Sequence, residues 1–390
     1  MKQTHDFLIP DYFPDFHCKM GACRAACCQG WPISVSMQNY FTLLGMDCPS
    51  HLRSRLDVGL RMVDYPSEDE YARFNPRWDG DCPMRMEDGR CSLHAEVGED
   101  VLPEVCRLYP RGIRHGDGGE TCECSCANSC EATLELFFGR TEPLTFITRR
   151  LTLDMPRAAK RTYFFGALDR GQEIRLHLLR ILQDRSLHLP ERMAHLGIAV
   201  TSMEKALDAR DMDAVQAILD NPDAHLSKAA PADIPFALAL DAAETLTDLL
   251  DARSSSIRER GQHALSVFGK GEDAHARYLA ARDHFEETFP DWEIFFEHML
   301  VNHMFFDRFP FQDRPVTLTE EMVSLTVVYT LLRFLALGWM ADKTDPAELI
   351  DTMAAAFRLI EHTGFDRTAS RMIRQIGFTS PAQLYALIRL

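Results

Sequence analysis

No cysteine follows Cys130, although the chain continues to Leu390. A disulfide or thiolate framework is therefore excluded from the C-terminal two-thirds. The most apolar run, Leu325 to Ala341, is shorter than a bilayer span and carries Arg333, so no membrane partner is expected. The opening MKQTHDFLIPDYFPDF has no apolar h-region, so no secretory signal is read and the expected location is cytoplasmic. Basic charge is scarce. Lys and Arg number 42 against 58 Asp and Glu, a net charge of −16, and acids outnumber bases on both sides of Cys130. A phosphate-tracking surface is not expected, and so no nucleic-acid partner. Several chemical signatures are missing too: no G-x-G-x-x-G follows a strand, and no H-E-x-x-H occurs. GKGED (269–273) lacks the flanking residues of a P-loop, and Cys23, Cys27 and Cys28 do not form C-x-x-x-C-x-x-C. No fixed-period repeat or low-complexity tract is visible.

What remains is a 390-residue chain, 46% apolar and 26% charged, long enough for two or three domains. Residues 1–135 are punctuated by Gly, Pro, Asp and Cys, as in GDCPMRMEDGRC, and read as an irregular cap with short helices at 37–44 and 102–108. Such a stretch cannot build a large core and needs staples. Residues 136–390 read as all-α, because apolar residues recur at helical spacing and no strand-like alternation of any length is apparent. Helices are predicted at 173–184, 189–207, 211–220, 233–252, 255–268, 274–288, 292–306, 318–341, 345–362, 368–376 and 381–389. Asp211, Thr319 and Ser380 are their expected N-caps. A sub-boundary is expected at 221–233. The predicted fold is thus mainly α, an irregular Cys-rich metal-binding N-terminal cap packed on a helical region.

The 12 cysteines all fall between Cys18 and Cys130. Closely spaced thiolates let one turn donate two metal ligands, and without a secretory signal a disulfide framework loses its compartment. Structural zinc and an iron–sulfur cluster use the same donors, and spacing does not decide between them. Cys48 stands alone and is expected to be a small buried hydrophobe.

The pattern F-H-C-x4-C-x3-C-C-x-G-W (Phe16 to Trp31) resembles the opening of the flagellin lysine-N-methylases, part of a Cys-rich group of zinc- or iron-chelating proteins. The likeness continues through Cys82–His94, Val105–Arg111 and Ser129–Phe138, and LVNHMFFDRFPF (Leu300–Phe311) is similar to a later helix of that family. The resemblance implies methyl transfer from S-adenosylmethionine to lysine amines of flagellin, or of another lysine-bearing protein, with a Cys-bound iron–sulfur cluster (4Fe-4S, with zinc as the alternative). The thiols it carries over are Cys18, Cys23, Cys27, Cys28, Cys82, Cys91, Cys106 and Cys130. Cys122, Cys124 and Cys126 are extra to the pattern. The alternative is a redox or scaffold module that binds iron–sulfur or zinc without methyl transfer.

A methylase must deliver its lysine as the free amine. Arg107 and Arg111 are candidate clamps for the cofactor carboxylate, and Tyr109 a candidate to orient the amine. The competing expectation is that all three brace the cap. Trp31 and Asn302 are candidate cofactor contacts, against core roles for both. Asp79, Asp81, Glu104 and Glu123 are expected to be solvated loop acids, and His17 a neighbour of the metal site rather than a ligand.

Overall fold

The computed structural model describes residues 2–116, 121–156, 170–220, 235–251, 255–311, 316–378 and 380–388. The expected sub-boundary at 221–233 lies outside them. The chain is mainly helical, and the helices from Gly171–Leu182 to Pro381–Ile388 fall within a few residues of their predicted positions.

The cap is not irregular. Its strands are β1 (Lys2–Pro10), β2 (Ile33–Val35), β3 (Leu60–Met62), β4 (Ala72–Phe74), β5 (Arg111–Arg114) and β6 (Cys122–Cys126), and β7 (Phe146–Asp154) joins them from beyond. They form a four-stranded sheet in the order β5-β6-β1-β7 and a three-stranded sheet in the order β2-β4-β3. In the larger sheet β1 runs parallel to β6, with Phe7 opposite Cys122. It runs antiparallel to β7 over its whole length, from Lys2 opposite Asp154 to Pro10 opposite Phe146. The region after residue 136 is therefore not all-α: it contains β7, the strand that completes the N-terminal sheet.

Strand geometry explains the C-x-C-x-C segment. Alternate side chains on β6 face opposite sides. Cys122 and Cys124 face a small core with Phe7, Ile9, Ile113 and Met155, while Cys126, the last residue of the strand, departs from that alternation and joins the main core. Glu123 points the other way. It is 2% exposed and pairs with Arg175 at 2.6 Å and Arg308 at 3.1 Å, so it is a buried ionic bridge to the helices rather than a solvated loop acid.

The smaller sheet covers its own core of Ile33, Val35, Leu43, Leu52, Phe74 and Met84. That core is small beside the main one, consistent with a cap that needs further staples.

The central helix of the main core, Leu318–Trp339, packs against Leu189–Asp208, Ser255–Phe268, Pro346–His362, Phe365–Gln375 and Pro381–Ile388. It has 22 residues, so by length and composition it does reach a bilayer span, correcting the expectation from Leu325–Ala341. Its apolar window is 94% buried inside the protein, which accounts for its apolarity by core packing. It starts at Thr317 rather than Thr319: Thr317 and Glu320 form a reciprocal capping box, while the Thr319 hydroxyl donates to Glu204. Asp211 and Ser380 cap as predicted, accepting from the backbone N–H of Ala214 and Gln383.

The cap docks on helix Trp292–Phe306. A Cβ at Gly112 on β5 would lie 2.5 Å from the Phe306 ring, so glycine permits this approach. Asn128 donates to the Met299 carbonyl at 2.8 Å.

Candidate functional site

Three segments of the cap converge on one cavity of about 220 Å³. The loop at 18–28 is tied to helix Glu131–Phe138 by Glu131, which accepts from Lys19 Nζ at 2.7 Å and from the backbone N–H of Arg24 and Ala25. The loop at 82–91 touches the first loop backbone to backbone. A Cβ at Gly89 would sit 2.2 Å from the Gly21 carbonyl oxygen, and both residues have positive φ, where glycine is free of strain. The short helix Glu104–Leu108 supplies the third wall.

The cavity is lined by Cys18, Cys23, Cys27, Cys28, Cys82, Cys91, Cys106 and Cys130, the eight thiols carried over by resemblance. Cys48, Cys122, Cys124 and Cys126 are not on its wall. Cys18 and Cys27 are exposed, and the other six are half-buried or buried. Hydrogen bonds from Cys27 and then Cys82, with Arg85 nearby, hold the Cys28 thiol well below its ordinary range. The hydrogen bond to Cys28 raises Cys27 and Cys82 in turn. Burial pushes Cys23 up to about 11 and raises Cys91, Cys106 and Cys130. This soft, largely apolar donor set suits a thiophilic metal, which would bind the thiolates that burial alone disfavours. Among the described residues, no three Cys, His, Asp or Glu side chains form a ready-made single-ion site.

The remaining candidates are dispersed. Tyr109 lines the cavity, and its hydroxyl bonds Ser129 Oγ at 3.1 Å, which in turn bonds His362 Nε2 at 2.8 Å. Arg107 and Arg111 are not on the cavity wall. Arg107 Nε lies 3.3 Å from Asp154, and the Arg111 guanidinium lies over Phe16. Trp31 is half-buried, donates to the Cys27 carbonyl at 3.1 Å and meets His362 edge-on. Asn302 is fully buried and its amide is spent within the fold. Asp79 pairs with Arg77 and Asp81 with Arg85. His17 bonds the Asp15 carbonyl and stays on the surface.

Residues 175–387 match the family model described as the FliB lysine N-methylase C-terminal domain. The chain belongs to the FliB lysine N-methylase family. The match spans more than half of the chain and lies wholly in the helical region, so membership in the FliB family does not rest on the cysteines. A lysine-N-methylase of Salmonella choleraesuis (strain SC-B67) is 26% identical over 110 residues, which are 26% of this chain and 25% of that protein. The flagellar biosynthetic protein FliU of Salmonella muenchen is 24% identical over 110 residues, 26% of this chain and 60% of its own length. Each match thus covers less than two thirds of the curated relative. No solved structure matches.

Sequence reading missed Glu131, Lys19, Ser129 and His362. Their partners lie far away along the chain, and no local pattern reports such pairs. The Gly21–Gly89 contact had a faint signal, a glycine inside each Cys-bearing loop.

Proposed function

We propose that this FliB-family protein transfers methyl groups from S-adenosylmethionine to lysine ε-amines of flagellin, and that its thiol-lined cavity holds an iron–sulfur cluster. Family membership carries the activity, and the names of the relatives, a lysine-N-methylase and a flagellar biosynthetic protein, support the substrate. In the transfer the amine lone pair forms the N–C bond as the C–S bond of the sulfonium breaks. S-adenosylhomocysteine leaves and the nitrogen gives up one proton. Lysine is protonated at neutral pH, so that proton must go before attack. The chain's net charge of −16 favours approach of a cationic lysine-bearing surface.

For the cluster, the supporting observation is the single wall of eight thiols. A tetrahedral zinc ion uses four ligands, and iron–sulfur clusters are held by the same cysteine thiolates. When bound, the cluster would cross-link segments far apart in sequence and supply part of the folding energy of the cap. Cys18, Cys23, Cys27 and Cys28 on the first loop, Cys82 and Cys91 on the second, and Cys106 and Cys130 are the residues available to hold it. The test is anaerobic incubation of the full chain with flagellin and S-adenosylmethionine, read by intact mass, beside iron, zinc and acid-labile sulfide analysis of the same preparation.

A further inference from the structure

Helix Met37–Gly45 of the cap buries one face and leaves another bare. Leu43 is fully buried and anchors it to the core of the smaller sheet. Met37, Phe41 and Leu44 recur four and three residues apart, so they share a second face, turned away from Leu43. Phe41 and Leu44 are each 54% exposed and Met37 38%. The Tyr71 ring widens the strip: its centre lies 5.7 Å from that of Phe41 and 5.2 Å from that of Tyr40. Single exposed apolar side chains are ordinary, but a contiguous strip along one helix face marks a contact surface.

The charge around the strip selects what covers it. Met37 N–H donates to the Glu68 carbonyl at 2.9 Å, which ties the start of the helix to the segment 63–71, and the turn Glu99–Val101 packs against the same helix. These two flanks carry Asp64, Glu68, Asp69, Glu70, Glu99 and Asp100 and no lysine or arginine. Glu70 pairs with Arg73, while Asp64, Glu99 and Asp100 are exposed and enter no ion pair among the described residues. A second copy of this chain meeting strip to strip would set acids against acids, and an anionic lipid or a nucleic acid would be repelled in the same way. A protein surface with apolar side chains set between lysines or arginines is complementary on both counts. The helix is also tied to the thiol cavity: Asn39 Oδ1 accepts from the backbone N–H of Glu104 at 3.3 Å, and Glu104 opens the short helix that forms the third wall.

We propose that this acid-rimmed strip is a docking surface for the protein substrate, its apolar side chains taking an apolar face and its carboxylates the cationic side chains beside that face. The inference rests on the lysine methylation proposed above. It adds that the substrate is held by a surface of the cap distinct from the point where the methyl group is transferred, so that the strip governs capture of the substrate and not the chemical step.

The test is steady-state methylation of flagellin by the anaerobically purified full chain. Phe41→Ser combined with Leu44→Ser should raise KM for flagellin by about tenfold or more, through the lost burial of two apolar side chains, with kcat within about twofold and metal content unchanged. Asp64→Asn combined with Glu99→Gln and Asp100→Asn should raise KM at low salt and flatten its rise between about 50 and 500 mM salt, because salt screens the charged rim. If the apolar variant fails to fold by circular dichroism, the rim variant, whose three positions are exposed, carries the test alone. Unchanged KM in either folded variant, with wild type methylating flagellin, overturns the docking surface and leaves lysine methylation standing. A wild-type dimer in sedimentation that the apolar substitutions convert to monomer overturns it in favour of a second copy. A wild-type protein that adds no methyl group to flagellin overturns both.

Discussion

The Tyr12 hydroxyl donates to Asn302 Oδ1 at 2.7 Å, joining the end of the first strand to a helix 290 residues further on. Asn302 Nδ2 donates at 2.8 Å to the Cys126 carbonyl and at 2.7 Å to Asn128 Oδ1. One amide thus pins the four-stranded sheet, the turn before helix Glu131–Phe138 and helix Trp292–Phe306 together. Asn302→Leu should strand several buried polar groups and cost about 2–4 kcal/mol of stability. Denaturant melts of the two proteins give the number. A loss within error of zero would show that the cap docks by apolar contact alone.

The thiols divide into those on the cavity wall and those in the sheet. Cys28→Ser should lower bound metal and the thermal stability of the cap together, because Cys28 bridges Cys27 and Cys82. Cys124→Ala should leave metal content unchanged, since Cys124 is fully buried among Phe7, Ile9 and Ile113. Metal analysis of both variants settles it, and equal metal loss in the two would remove the distinction.

Tyr109 sits at the cavity with its hydroxyl engaged by Ser129. Tyr109→Phe removes one neutral hydrogen bond while Ser129 keeps His362, so the cost should be about 1 kcal/mol. Metal content and methylation should stay within about twofold, a change worth under ~0.5 kcal/mol. A variant with intact metal and melting temperature but no methylation would instead place the chemistry at the thiol cavity.

His177 is held below its ordinary value of 6.5 by burial and by Arg180, and its Nε2 has no partner. The unfolded chain binds that proton more readily than the folded one. The contribution is therefore complete above about pH 6.5 and is lost as the pH falls below it. His177→Leu should make the decline in melting temperature between about pH 7.5 and pH 5.5 shallower than in wild type. A steeper or identical decline would contradict the sign.

The helices were legible because their apolar spacing is local. EIRLHLLRILQD announces helix Gly171–Leu182 without reference to anything else in the chain. The sheets were not, since β2, β3 and β4 have three residues each and β1 finds β6 more than a hundred residues away. A signal was present in β7, where FITRRLTLD is rich in β-branched residues, and in CECSC, whose period of two is that of a strand and not of a metal loop. The eight cavity thiols were separable from the other four by their resemblance to a family pattern.

The central claim is lysine methylation, and intact mass spectrometry of flagellin tests it most directly. After anaerobic incubation with this protein and S-adenosylmethionine, flagellin should gain mass in steps of one methyl group, and fragmentation should place each step on a lysine. Flagellin of unchanged mass, treated with protein that carries its full complement of iron and acid-labile sulfide, would contradict the account.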